Sequence, residues 1–252
     1  MPLYKTRAIV LKNMNLFETD RLVTLLTEDH GKIKCVAKAA RKIKNRFGAG
    51  LEQMSHIHLV YFGKENQDLY RLNQCDIQES FQSIRENERK LYSGIYFLEL
   101  ADIMLKEAHR EQEIFNLVLE TLKALKQNSN AETLCRLFEM QMVSLSGYKP
   151  ILTHCTLCKK LPESKWIGFS YNNHGIIFGH CANLEKTELK FQARTLEYLK
   201  KLLTLEPRHS DRLKFPKGSE EEIERFSHRL VQIQLGREPN SYPFIKKMAV
   251  GL

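Results

Sequence analysis

Long apolar runs are missing from this chain of 252 residues. No stretch approaches the ~20 consecutive apolar residues that a membrane-spanning helix needs. Residues 1–5 (MPLYK) do not lead into the apolar core of a signal peptide. We therefore expect a cytoplasmic protein that has no contact with a membrane.

Recognisable catalytic motifs are missing as well. The sequence has no Gly-x-x-x-x-Gly-Lys phosphate loop, no His-Glu-x-x-His zinc motif and no nucleophile elbow. We therefore expect that the protein is not an enzyme. A metal-dependent nuclease or hydrolase that uses the cysteines described below stays open as an alternative.

Positive charge is what the chain has in excess. It contains 39 Lys and Arg residues against 30 Asp and Glu residues, which gives a net charge of +9. Residues 1–80 carry +4 and residues 151–252 carry +6, whereas residues 81–150 carry −1. A field of this sign at both ends attracts phosphate groups or acidic partners. The 42% hydrophobic and 27% charged residues are typical of a soluble globular protein.

The first 80 residues have the pattern of a β-rich domain. Short apolar runs with many β-branched residues are separated by polar turns. The predicted strands are residues 4–11, 22–27, 33–37, 57–62 and 69–77. Five short strands without intervening helices favour a small barrel or sandwich.

From about residue 84 the apolar period changes to that of helices. We expect residues 81–252 to form a helical bundle, interrupted by an insert at about residues 151–184. Residues 191–203 are predicted to be helical, and Ser219 and Glu222 have the spacing of a capping box. The predicted fold class is α+β, with a β-barrel followed by helices.

Seven cations and no acid lie within residues 32–46, which we call the basic segment. Its cations are Lys32, Lys34, Lys38, Arg41, Lys42, Lys44 and Arg46. Strand alternation puts the first three on one face, and the remainder continues into a predicted loop. Such a track suits a nucleic-acid phosphate backbone, and a solvated basic face is the alternative.

Four aromatic residues of the β-rich region are candidates for stacking on nucleic-acid bases, and packing in the core is the alternative for each. They are Tyr4, Phe47, Tyr61 and Tyr70.

Three of the six cysteines are close together in sequence. Cys155 and Cys158 have the Cys-x-x-Cys spacing that lets two thiolates bind one zinc ion, and Cys181 adds a third thiol. A second Cys-x-x-Cys is incomplete, because Phe178 precedes Cys181 by three residues. His174, His180 and His154 lie nearby in the sequence, and of these we assign His174 as the fourth candidate ligand of one structural zinc. A ribbon held by packing alone and a redox-active pair stay open. The other cysteines, Cys35, Cys75 and Cys135, are predicted to be buried apolar residues.

The N-terminal sequence resembles that of the bacterial RecO family of DNA repair and recombination mediators. The resemblance lies in residues 18–27 (ETDRLVTLLT), 31–33 (GKI) and 36–42 (VAKAARK). The order of β-rich start, helices, Cys-x-x-Cys insert and closing helix agrees with that family over nearly the whole chain. Two departures are Ala39-Ala40 where the family usually has a glycine, and Phe178 where it usually has a fourth cysteine.

This resemblance implies an N-terminal OB-fold, a helical domain and a small zinc-ribbon-like element. It also implies binding of single- and double-stranded DNA, annealing of complementary strands, and help in loading RecA onto strands coated by single-strand-binding protein (SSB). The implied partners are RecR, the acidic C-terminal tail of SSB and, indirectly, RecA, and the implied location is the nucleoid. An RNA-binding OB-fold protein is the alternative.

A tail that is acidic and ends in an apolar residue needs a basic rim around an apolar groove. The predicted rim borders the leucine stripe of residues 196, 199 and 203. Its candidate residues are Lys186, Lys190, Arg194, Lys200 and Lys201. A second DNA strand is an alternative ligand of this region.

Overall fold

The computed structural model describes residues 2–64, 67–105, 110–127, 130–184, 187 and 189–249. The chain forms two compact units, one of Met1–Ala131 with Pro239–Leu252 and one of Glu132–Glu238. The division into domains at residue 80 stays a prediction.

Five strands of the first unit form a closed barrel. They are β1 (Leu3–Leu16), β2 (Asp20–Thr27), β3 (Gly31–Ala37), β4 (His56–Phe62) and β5 (Tyr70–Glu79). Their order is β1-β2-β3-β5-β4, with β4 pairing back onto β1. All pairs are antiparallel except β3 with β5. This topology confirms the predicted OB-fold barrel.

Strand β1 is longer than the sequence predicts, because residues 12–16 continue the pairing with β2 after an irregularity between Val10 and Lys12. Alternate residues of each strand fill the barrel, as Ile33, Cys35 and Ala37 of β3 illustrate. Burial raises the pKa of the Cys35 thiol well above its ordinary value.

The described helices follow the barrel in the chain. They are α1 (Gln82–Arg85), α2 (Glu88–Met104), α3 (Gln112–Lys126), α4 (Ala131–Val143), α5 (His180–Leu184), α6 (Ala193–Leu202), α7 (Glu220–Leu235) and α8 (Tyr242–Ala249). Shorter helical segments are the 3-10 turns Gly48–Leu51 and Pro207–Arg212 and the π-helical turn Ser144–Tyr148.

In the first unit, α2 and α8 are joined by polar and aromatic contacts. The Glu99 carboxylate accepts hydrogen bonds from the backbone N–H groups of Asn240 and Ser241, both at 2.8 Å. The rings of Tyr92 and Phe244 stack with their centroids 5.1 Å apart. These contacts attach the end of the chain to the helix that also borders β3.

The second unit contains α4, α6 and α7 together with a three-stranded sheet of order β7-β6-β8. The strands are β6 (Trp166–Ser170), β7 (Gly175–Ile177) and β8 (Leu189–Gln192). The helix predicted for residues 191–203 was therefore placed too early, since Phe191 is the buried end of a strand.

The predicted capping box at the start of α7 is wrong, because neither side chain caps that helix. The Glu222 carboxylate instead accepts hydrogen bonds from the Thr195 hydroxyl and from the Gln192 backbone N–H. The carboxylate of Glu222 therefore anchors the start of α6. A sequence pattern cannot distinguish a local partner from one that tertiary packing supplies.

Candidate nucleic-acid interface and cysteine cluster

The strand part of the basic segment has the predicted alternation. Ile33, Cys35 and Ala37 point into the barrel core, so the side chains of Lys32 and Lys34 lie on its outer face. This outer face is not uniformly open to solvent. Lys34 is only half-exposed, and Lys32 is buried.

Lys32 is covered by helix α2. Its Nζ donates a hydrogen bond to the backbone carbonyl of Asp102 and lies 3.4 Å from a carboxylate oxygen of the same residue. Only 10% of the Lys32 side chain is exposed. The DNA-contact role that the sequence predicts for Lys32 does not fit this position, because its charge is already paired within the fold.

The remaining cations stand in solvent on residues 38–46, which we call the basic loop. All five are exposed: Lys38, Arg41, Lys42, Lys44 and Arg46. The fold thus brings five of the seven predicted residues together on one exposed segment directly after β3.

Hydrogen bonds attach the first half of the basic loop to the turn between β1 and β2. The Asp20 carboxylate accepts from the backbone N–H of Ala39 at 2.8 Å, and Arg41 donates its own N–H to the Thr19 carbonyl at 2.9 Å. The Arg41 guanidinium donates to the carbonyls of Phe17 and Glu18, both at 2.9 Å. The Ala39 N–H and the Thr19 hydroxyl lower the pKa of Asp20 below its ordinary value.

The second half of the basic loop is attached to the barrel. The Asn45 side-chain oxygen accepts from the backbone N–H groups of Phe47 at 3.0 Å and Gly48 at 2.9 Å. Phe47 itself is buried in the barrel core, and the Arg46 guanidinium lies 5.0 Å from its ring centroid. The exposed cations are therefore carried by backbone that is held at both ends.

The aromatic residues considered from the sequence belong mainly to the core. Phe47, Tyr61 and Tyr70 are buried, and Tyr4 stacks on Tyr61 with centroids 5.1 Å apart. Sequence reasoning missed Phe17, whose exposed fraction of 83% is far larger. The available signal was an aromatic residue directly before the polar residues 18–20, where a turn was to be expected between two strands.

The three clustered cysteines come together as predicted. The sulfur atoms of Cys155, Cys158 and Cys181 all lie within 4.8 Å of one another, and we call them the cysteine cluster. Tetrahedral zinc with bonds of about 2.3 Å holds its sulfur ligands about 3.8 Å apart, so the arrangement suits three sites of such a tetrahedron. The cluster is compatible with a zinc-ribbon-like insert.

Backbone geometry around Cys155 favours a thiolate. Burial by itself raises the pKa of this thiol, but hydrogen bonds from the backbone N–H groups of Cys158 and Leu157 and from the thiols of Cys158 and Cys181 together outweigh that effect. The pKa of Cys155 is consequently lowered. Burial and the two neighbouring sulfurs raise the pKa of Cys181 to about 11, which disfavours three thiolates without a positive ion among them.

Phe178 stands at the sequence position of the missing fourth cysteine. Phe178 packs against the apolar cluster that includes Cys155 and Cys181. His174 is not part of the ligand group, since it lies exposed in the turn before β7, with its ring 6.2 Å from that of Tyr148. The predicted fourth ligand is therefore wrong for the conformation described, and the three sulfurs alone make up the candidate metal site.

The predicted SSB-tail rim is only partly assembled. Lys186 lies outside the described residues. The Lys200 ammonium is paired with Glu197 at 2.8 Å, and that of Lys201 lies 5.4 Å from the Tyr198 ring centroid. The Arg194 guanidinium donates to the Lys217 carbonyl at 3.4 Å.

The leucine stripe between those cations is mostly closed, because Leu196 and Leu199 are buried and Leu203 is half-buried. Lys190, by contrast, is exposed and lines a cavity of about 490 Å³ over the small sheet. Gly168 and Ala182 also line it, together with Trp166, which is 51% exposed. The apolar space beside a predicted cation is thus this cavity and not the predicted leucine stripe.

None of the helices in the described part of the chain has the length and apolar character that crossing a membrane requires.

Comparison with known proteins agrees with the fold. The model of the recombination protein O N-terminal domain matches residues 1–81, and that of the C-terminal domain matches residues 85–243. A protein of Alkaliphilus metalliredigens (strain QYMF) named DNA repair protein RecO is 30% identical, covering 98% of this chain and 100% of its own. Relatives of the same name from Symbiobacterium thermophilum and Thermodesulfovibrio yellowstonii are 28% and 30% identical over 97% and 92% of this chain. They are covered over 97% and 94% of their own lengths. The chain belongs to the bacterial RecO family of DNA repair and recombination proteins.

Proposed function

We propose that the protein binds single- and double-stranded DNA, anneals complementary strands and assists the loading of RecA onto SSB-coated strands. The observation that carries this proposal is the basic loop, whose five exposed cations follow a barrel strand and are held by hydrogen bonds at both ends. A positive segment on an OB-fold barrel suits the backbone of a nucleic acid, since phosphate contacts supply most sequence-independent affinity.

Annealing by this route needs no covalent chemistry. Two DNA strands repel each other through their phosphates, and cations that neutralise part of this charge lower the barrier to their meeting. Among the described residues, the candidate ligand cluster consists of three thiols and includes no carboxylate that would act as a general base. We therefore propose a non-enzymatic mediator that acts in the cytoplasm on the nucleoid.

The acidic tail of SSB is the proposed ligand of the cavity beside Lys190. Its apolar end would enter the space next to Trp166 and Ala182, and its carboxylates would face the Lys190 ammonium. A Lys190→Glu variant is expected to lose binding of a synthetic tail peptide, measured by fluorescence anisotropy. Unchanged binding would place the tail elsewhere. RecR is the other proposed partner.

The cysteine cluster is proposed to hold one structural zinc ion. Zinc would supply the positive charge that lets three neighbouring thiolates coexist, and it would fasten residues 155–158 to the start of α5. Elemental analysis of the purified protein is expected to give one zinc per chain. A Cys158→Ser variant is expected to lose the metal and to melt at a lower temperature. If protein without zinc melts at the same temperature as the wild type, packing alone holds the insert.

The proposed DNA binding is tested by titrating a fluorescent single strand with the protein at several salt concentrations. If about four cations contact phosphates, log K against log salt has a slope of about −3, or roughly a 60-fold loss for a four-fold rise in salt. An RNA strand of the same sequence serves as the control, and tighter binding of RNA would favour the RNA-binding alternative. Weak binding that does not respond to salt would reduce the basic loop to a solubilising surface.

A further inference from the structure

Phe17 is the exposed aromatic residue at the turn between β1 and β2. We propose that its ring stacks on an unpaired base of single-stranded DNA whose phosphates contact the basic loop. This inference deepens the proposed function and rests on it. Its starting point is the 83% exposure of the ring, which the fold leaves in water although an aromatic side chain is among the most favourable to bury.

The backbone at Phe17 is unfavourable for this residue type. Its φ of 52° lies in the left-handed region, which residues other than glycine, asparagine and aspartate seldom adopt. Neither the backbone conformation nor packing therefore accounts for phenylalanine at this position. Strain and exposure together at one surface position are a recognised mark of a ligand-contacting residue.

Arg41 connects Phe17 with the cations. Its guanidinium donates to the carbonyl oxygens of Phe17 and Glu18, so the turn and the basic loop are joined side by side. Ile43, on the same loop, is fully exposed and adds a second apolar side chain to the surface. The two joined segments therefore present both apolar side chains and cations. A single DNA strand offers a complementary surface, because its flat bases alternate with phosphates.

Charge at the turn itself favours contact with a base over contact with a phosphate. Glu18 is exposed directly beside Phe17 and would repel a phosphate there, while the cations lie on the adjoining loop. Stacking on an aromatic ring does not depend on the identity of the base. Phe17 would therefore raise affinity without sequence preference, as a protein that coats or anneals arbitrary strands requires.

The test compares variants of Phe17 in the full chain by titration of single-stranded DNA over a range of salt. Phe17→Ala is expected to weaken binding about ten-fold at every salt concentration with an unchanged salt slope, because stacking releases no counterions. Phe17→Trp is expected to bind at least as tightly as the wild type, and Phe17→Leu to fall between. Leu3→Ala is the matched control, since Leu3 is an exposed apolar residue at the opposite end of β1, and it is expected to bind normally.

A strand with abasic sites provides the second measurement, because it keeps the phosphates and lacks the bases. On this strand the wild type and Phe17→Ala are expected to bind equally. Phe17→Gly, which relieves the left-handed backbone, should show the same DNA-binding defect in a protein at least as stable, so that misfolding is separated from lost stacking.

Three results would overturn the inference, and they differ in what they leave standing. If the wild type binds DNA with a steep salt slope and Phe17→Ala binds equally well, the ring does not stack and the proposed function stands. If the wild type does not bind DNA, the proposed function fails and the inference fails with it. A ten-fold loss that persists on the abasic strand would also reject stacking, because the lost contact would then not involve a base.

Discussion

Lys32 at one end of the basic segment lies beneath helix α2, while the cations of the basic loop at the other end stand in solvent. Both ends carry positively charged side chains, and only a few residues of β3 separate them. The buried ammonium needs the carbonyl and carboxylate of Asp102, because a charge removed from water must be paired. A cation paired in this way contributes little electrostatic attraction to a ligand. Exposure, and not spacing, therefore separates the structural cation from the cations proposed to bind DNA.

The largest effect is expected from removing charge at the exposed end. Replacing Lys38, Lys42 and Lys44 together by Gln should weaken single-strand binding about 100-fold or more at ~50 mM salt and reduce the magnitude of the salt slope by about 2. Arg41 is left in place because it holds the β1–β2 turn. The measurement is the same titration of a fluorescent strand.

The control for that variant is an equal change of charge elsewhere. Lys64, Lys246 and Lys247 are exposed lysines of the first unit outside the basic segment, and their triple replacement by Gln removes three charges as well. If both variants lose affinity to the same extent, net charge rather than the basic loop drives binding.

The buried residue His56 of β4 is expected to make the stability of the barrel depend on pH. Burial, and next the nearby Arg7, lower the pKa of His56 to about 4, and its Nε2 has no hydrogen-bond partner among the described residues. The unfolded chain takes up a proton near pH 6.5, whereas the folded chain does not until about pH 4. The contribution of His56 to the free energy of unfolding is therefore fully present above pH 6.5. It decreases by about 3 kcal/mol as the pH falls to 4.

A His56→Leu variant should lose this part of the pH dependence, whatever its stability at pH 7. Urea unfolding between pH 4 and 7 measures the free energy of unfolding at each pH. If it falls as steeply in the variant as in the wild type, the fold does not keep His56 neutral.

A smaller effect is expected from the buried end of the basic segment. Lys32→Met should lower the free energy of unfolding by about 2 kcal/mol, because it leaves the polar groups of Asp102 without their donor. Its DNA salt slope should equal that of the wild type. Lys38→Met is the counterpart, with stability changed by less than about 0.5 kcal/mol and a slope about 0.7 shallower. A slope change in Lys32→Met would restore Lys32 to the DNA site.

The smallest effect is expected at Ala39, which lies between β3 and most of the exposed cations of the basic loop. Ala39 has a φ of 60°, in the left-handed region that favours glycine. Ala39→Gly should stabilise the protein by about 0.5–1 kcal/mol, the relief of strain exceeding the entropy that glycine adds to the unfolded chain. Ala37→Gly, two residues earlier in regular strand, should instead destabilise it, and chemical denaturation distinguishes the two signs.

Much of the fold follows from local pattern. Alternation over residues 33–37 predicted which side chains enter the barrel, and the Cys-x-x-Cys spacing predicted the meeting of Cys155 with Cys158. A local pattern does not show which distant element of the chain packs on a given surface. Alternation placed Lys32 on the outer face correctly, but the contact with Asp102 comes from a helix seventy residues further along the chain.

The parts of the site that sequence could not supply depend on such distant contacts. His174 is close to the cysteines along the chain, yet its turn carries it away from their sulfur atoms. The exposure of Phe17 follows from how β1 and β2 close their turn, and the closure of the leucine stripe follows from packing in the second unit. Residue type and spacing suggested His174 and the leucine stripe as candidates but not Phe17, and the surroundings of all three are set by contacts elsewhere in the fold.

We propose that the exposed basic loop, and not total charge, lets this protein act on SSB-coated DNA. The most direct measurement is the annealing rate of two complementary SSB-coated strands, followed by fluorescence energy transfer, with the wild type, the loop triple variant and Lys32→Met. We expect rapid annealing by the wild type and by folded Lys32→Met, and a rate near that of protein-free strands for the loop variant. Annealing by the loop variant at the wild-type rate would contradict it.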